Sequence, residues 1–229
     1  MTLTTGQTAL FLFRAVWCFA LPIVALLWLH KRHDGRVCPA FVGIAAMLLL
    51  MMPRGLVRSL LVPHADGFAA QFLLSDLIGA CFEECGRFLA MKYMLQNYDR
   101  FPDALSYGIG HGGVEAFATG FSQIGLLMKA LEGTANETVY VQGLLDAADI
   151  FVGELSGCVF HMMLSVLVLL SVHRAGCRKY LPLAIGLHVC ANIARYWFGT
   201  VADMLFTAGL CYLTYRLYQK SATWGDDDG

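Results

Sequence analysis

CFEECGRFLAMKY, residues 81–93, sets two adjacent glutamates, Glu83 and Glu84, inside an apolar stretch, with Arg87 one helical turn later. A carboxylate at the centre of a bilayer costs about 2.5–3.5 kcal/mol even on lenient insertion scales, so an ionisable residue there marks a functional site by default. Whether this run lies in a bilayer decides the fold. Of the 229 residues 58% are hydrophobic and only 14% charged, a balance foreign to water-soluble domains of this length. The expected class is all-α, a polytopic membrane helical bundle forming one transmembrane domain over residues 1–229.

At about 20 residues per crossing, the apolar runs predict roughly seven spans: Ala9–Trp28, Val37–Leu56, Gly67–Leu95, Ala104–Leu131, Ile150–Val172, Leu181–Phe198 and Val201–Leu217. No clustered positive region or small-residue cleavage site precedes His30, so the first run reads as a retained span. Lys31, Arg32 and Arg36, then Arg100, then Arg174, Arg178 and Lys179, then Arg216 and Lys220 fall on alternate connections. The positive-inside rule assigns these to the cytoplasm and predicts the N-terminus outside and the C-terminus cytoplasmic. Arg54 and Arg58 sit against that trend, on the outer side. A net charge of −1 provides no basic field for nucleic acid, and the acidic ending GDDDG reads as a solvated tail. Eight scattered cysteines without a CxxC pair read as ordinary buried thiols.

Four consecutive spans each carry an ionisable residue near the midpoint: Glu83 and Glu84, then His111 with Glu115, then His161, then His188 with Asn192. Lipid-facing placement of all of them would be prohibitive, so they are expected to converge on the bundle interior or a water-filled cavity. Asp76, Glu83 and Arg87 share one helical face, while Glu84 is offset by about 100°. Arg87 can pair with either glutamate, which leaves the second free for proton transfer. Gly108, Gly110, Gly112 and Gly113 surround His111, a small-residue pattern suited to close helix approach.

A carboxylate base and a histidine can activate water, and a second histidine with an asparagine amide can donate to a developing oxyanion; together they describe amide hydrolysis. No GxSxG or HExxH motif and no intramembrane aspartate pair is present, which argues against serine, zincin and aspartyl chemistry. His111, His161 and His188 with a glutamate would also complete a zinc shell. A non-catalytic scaffold using the same residues to hold helices together is the alternative. A proton-coupled transporter ranks last, because no inverted repeat is visible.

EExxR, Tyr107 to His111 as YxxxH, and His188 to Asn192 as HxxxN resemble the CAAX-protease and bacteriocin-processing superfamily of membrane peptidases. Gly108–Ala116, GIGHGGVEA, resembles its YhfC-like branch, and the spacing EExxR is similar to the PrsW-like branch rather than to the EExxxR of prenyl-protein endopeptidases. The likeness covers residues 67–198, the expected peptidase core. It implies a glutamate-dependent intramembrane endopeptidase of a membrane-associated peptide or protein. Glu83 or Glu84 with His111 would activate water, His188 and Asn192 would stabilise the oxyanion, and Arg87, Glu115 and His161 would support them. Glu83 is favoured as base because it shares a face with Asp76 and stands first in the motif. The layout with two late histidines also resembles the multispan scaffold subunit of γ-secretase, the form the non-catalytic alternative would take. The expected location is a bacterial plasma membrane, or an endomembrane in a eukaryote.

Overall fold

The structure, a computed structural model, describes residues 2–174 and 176–223; the GDDDG ending lies outside the described residues. Apolar runs of this length can satisfy their backbone groups in lipid only as helices, and among the described residues the chain forms helices and no strand. They are α1 (Thr5–His33), α2 (Cys38–Leu61) with a 3₁₀ turn at Val62–His64, α3 (Phe68–Tyr93), α4 (Phe101–Leu131), the single turn α5 (Glu137–Tyr140), α6 (Leu144–His173) and α7 (Tyr180–Thr223). Gly199, at φ 78° and ψ −173°, breaks α7 in a region that a side chain would strain. The two halves of α7 are the expected sixth and seventh spans, so the seven crossing segments fit the sequence reading.

Helices α1, α6 and α2 with its 3₁₀ turn are long and apolar enough to cross a membrane by composition alone. Helices α3, α4 and α7 are interrupted by the ionisable residues singled out above. Leu49, Met52, Leu145 and Phe198 stand largely exposed on the outside of the bundle, a surface suited to lipid rather than water. The protein is an integral membrane protein.

Helices α4 and α6 form the centre. Of the apolar stretch of α6, 72% is buried, against 17% for α2, which faces mostly outward. Lipid removes the hydrophobic drive between helices, so close packing and buried polar contacts must hold them together. The glycine pattern of α4 supplies that approach. A methyl group on Gly108 would strike the backbone of His161 and Met162 in α6, and one on Gly110 would strike the backbone of Ala40 in α2.

Short connections make neighbouring crossings antiparallel. The N-terminus, the α2–α3 turn, the α4–α6 connection and Gly199 therefore share one end of the bundle, where Arg14 donates to Gly143 O at 2.9 Å. At the opposite end Asp103 begins α4, accepting from Arg36 Nε at 2.8 Å, from Arg36 Nη2, and from Arg100 Nε at 3.3 Å. Burial alone would raise the Asp103 carboxyl, but the hydrogen bonds from Arg36 and Arg100 hold it below its ordinary value.

Candidate active site

Because Glu83 and Glu84 are successive on α3, they point about 100° apart and meet different helices. Glu84 turns inward and is fully buried, held by Arg87 Nη1 at 2.9 Å and by His188 Nδ1 at 2.8 Å. The other end of the Arg87 guanidinium reaches His161 Nδ1 at 3.1 Å. Arginine has no acceptor, so Nδ1 of His161 accepts and its neutral ring carries the proton on Nε2. That nitrogen faces Glu115 Oε2 at 2.9 Å. A single chain of contacts thus runs from His188 through Glu84, Arg87 and His161 to Glu115, tying α7, α3, α6 and α4 together.

Glu83 turns the other way. Its Oε1 accepts from Arg54 of α2, and its Oε2 lies 3.3 Å from His111 Nε2 and 3.7 Å from His188 Nε2. The sequence left one glutamate without a full partner; Arg54, reaching across from α2, fills that place. The rings of His111 and His161 are 4.8 Å apart by centroid, and those of His161 and His188 are 5.7 Å apart. His111 is fully buried, and its Nδ1 has no hydrogen-bond partner.

Glu83, His161 and His188 line a cavity of about 370 Å³, with Arg54, Arg58, Glu115, Glu154, Asn192, Arg195 and Asp203 among its other walls. It runs from mid-depth toward the end that carries the N-terminus, since Arg58, Arg195 and Asp203 lie near helix ends on that side. Asn192 lines it too, but its Nδ2 donates to Asp76 Oδ1 at 2.8 Å, so one of the two amide hydrogens is already engaged.

Every residue singled out from sequence therefore meets the others around one cavity or directly behind its wall. Arg54, Arg58 and Asp203, which lie outside residues 67–198, also line it. The signal for the two α2 arginines was their position against the charge trend, at i and i+4 on an apolar helix. Nothing comparable distinguished Arg195, Asp203 or Glu154 from ordinary span-end charges.

The donor chemistry suits a divalent metal. Glu83, His111, Glu115 and His161 each offer an atom within 4.8 Å of the others, a carboxylate and imidazole set. Two members of the histidine trio expected from sequence, His111 and His161, belong to this group, and Glu115 takes the place of His188. His188 instead gives its Nδ1 proton to Glu84, an arrangement that fixes its tautomer and orients its ring. Ligation through His161 Nε2 would replace the proton on that nitrogen, and a neutral ring would then carry its proton on Nδ1, in place of the Arg87 contact.

Residues 17–211 match the family described as YhfC intramembrane metalloprotease. The chain belongs to that family. It is also 31% identical over 121 residues to the uncharacterized membrane protein YhfC of Bacillus subtilis (strain 168), a match covering 49% of this chain and 47% of that protein. The match thus spans about half the length of the relative. No solved structure matches. Membership in the YhfC family agrees with the resemblance carried by Gly108–Ala116, and the family's description as a metalloprotease suggests a metal, which the sequence reading held open through its histidines.

Proposed function

We propose that this chain is an intramembrane endopeptidase that hydrolyses a peptide bond of a membrane-associated substrate with water activated at Glu83. The observation that carries the reading is the position of Glu83 Oε2: at mid-depth, on a polar cavity, within reach of two imidazoles.

In this reading Glu83 is the proton acceptor. Arg54 fixes its far oxygen, so the near one is presented to the cavity in a constant orientation. Accepting a proton from water there leaves hydroxide beside the substrate carbonyl, and the same carboxylate can return the proton to the leaving amine. His188 donates to a developing oxyanion only when doubly protonated, with Nδ1–H on Glu84 and Nε2–H toward the cavity. The second amide hydrogen of Asn192 offers a further donor one helical turn away. Glu84 and Arg87 stay out of the cavity; Glu84 holds His188 in place, and Arg87 holds Glu84.

His111, His161 and Glu115 would hold a metal ion beside Glu83, three protein ligands leaving an open position. The ion would supply a lowered pKa for bound water and polarisation of the carbonyl. Zinc is the proposed ion on donor type. The clustering of Lys and Arg on the opposite connections supports an N-terminus outside, which would open the cavity to the extracytoplasmic side and let water enter from there.

The test is cleavage of a library of single-span peptides by purified protein in vesicles, read by mass spectrometry. Glu83→Gln is expected to lower the rate per folded molecule about 10³-fold. A Glu83→Gln protein as fast as wild type ends the reading.

A further inference from the structure

Arg58 lies three residues before the end of α2, where a long cationic side chain ordinarily reaches outward to the headgroups. It does the reverse. Its Nε donates to Ser75 O at 2.9 Å, and its Nη2 rests on Gly79, where a methyl group would collide with it. Gly79 is eleven residues into α3, about 16 Å below the start of that helix at 1.5 Å per residue. The guanidinium is thus drawn down into the bundle, over a glycine that makes room for it, and forms part of the cavity wall.

The other arginines at the site have carboxylates: Arg54 has Glu83, Arg87 has Glu84, and Arg195 has Asp203 at 3.3 Å. Among the described residues no carboxylate lies within 4.0 Å of Arg58, whose one bond at the site is to the Ser75 carbonyl. Asp76, its neighbour on α3, is turned to Asn192. A guanidinium held against its preference for water, on the wall of a cavity and without a carboxylate, is a carboxylate receptor in want of a carboxylate.

We propose that Arg58 binds a carboxylate of the substrate, so that the enzyme selects peptides with a negative charge close to the scissile bond. This rests on the peptidase reading of the cavity. Gly79 and Glu83 are one turn apart on one face of α3, about 6 Å along its axis, and an extended peptide covers about 3.3–3.6 Å per residue. The carboxylate therefore falls about two residues from the bond that is cut, on the side toward the cavity mouth. Either a C-terminal carboxylate or an Asp or Glu side chain supplies this chemistry.

The experiment uses three dye-labelled peptides of one core sequence: one ending in a free carboxylate two residues past the cleaved bond, its C-terminal amide, and an amidated longer form with Asp at that second position. Binding is measured on Glu83→Gln protein with and without Arg58→Gln, and hydrolysis on wild type, Arg58→Gln and Arg58→Lys. A charge-assisted pair gives about tenfold or more, so at least one acidic peptide is expected to bind about tenfold better than the amide. Arg58→Gln would erase that ratio through KM, leaving the amide unaffected, and Arg58→Lys would restore part of it. Preference for the free end alone identifies a C-terminal carboxylate; preference for the Asp form identifies a side chain. An unchanged ratio in Arg58→Gln, or equal weakening of all three peptides, overturns the proposal. Arg58-dependent binding without hydrolysis by wild type sustains this site and ends the peptidase reading instead.

Discussion

Asp103 and Glu83 are both nearly inaccessible carboxylates facing arginines, yet the two regions that hold them differ in what is left over. Around Asp103, at the end away from the N-terminus, both oxygens are taken by Arg36 and Arg100, and the Arg100 backbone N–H adds a further bond at 3.3 Å. At mid-depth, Glu83 opens on a cavity, His111 Nδ1 and Asp76 Oδ2 are buried without partners, and Arg58 has no carboxylate. A saturated cluster is a fastening, and its only reserve is stability. An unsaturated one keeps donors and acceptors for something that arrives from outside the chain. Buried charge by itself therefore says little; the inventory of unfilled hydrogen-bond capacity separates structure from chemistry.

The comparison can be broken most forcefully at the metal-ligand group. His111→Asn is expected to abolish stoichiometric metal, read by elemental analysis of protein purified without chelator, and to lower the cleavage rate about 10³-fold. Full metal content in that variant would remove His111 from the ligand set. Next in size is Glu84→Gln. It leaves Arg87 buried without its counter-charge and is expected to cost about 3–5 kcal/mol, seen as a fall in the melting midpoint. Glu83→Gln also removes a counter-charge, that of Arg54, but Arg54 lines the cavity, so its fall is expected to be smaller. Similar midpoints for the two variants would erase the distinction between the neighbouring glutamates.

The smallest effect belongs to the saturated end. Asp103→Asn is expected to cost about 1–2 kcal/mol, because Arg36 is partly exposed and keeps some hydration, with the cleavage rate per folded molecule unchanged. The pH dependence has a definite sign. Asp103 has a lowered pKa in the folded state, so its contribution is present above the unfolded carboxylate pKa and is lost as pH falls through the folded value. Acid melting curves of wild type and Asp103→Asn are therefore expected to converge at low pH. Parallel curves would show that the Arg36 and Arg100 bonds do not perturb that carboxyl.

Much of this was legible in the chain. Hydropathy gave the seven crossings because lipid leaves the backbone no alternative to helix, and even the break in α7 fell where Phe198 and Val201 bracket Gly199. The convergence of Glu83, Glu84, His111, His161 and His188 followed from the cost of exposing any of them to lipid. Pairing did not follow. Helical spacing shows which residues share a face on one helix, so Arg87 could be matched to a neighbouring glutamate. It carries no information on contacts between helices, so Arg54 with Glu83, Asn192 with Asp76 and Arg87 with His161 stayed hidden. The direction of Arg58 was hidden for the same reason: only the fold shows that it reaches down to Gly79 rather than out to the headgroups.

The most direct test sets the two regions against each other: cleavage rate per folded molecule for Glu83→Gln and Asp103→Asn, in the same vesicles with the same peptide. A hydrolytic site at Glu83 predicts that Asp103→Asn matches wild type while Glu83→Gln falls about 10³-fold below it. Equal rates for the two variants would contradict the account.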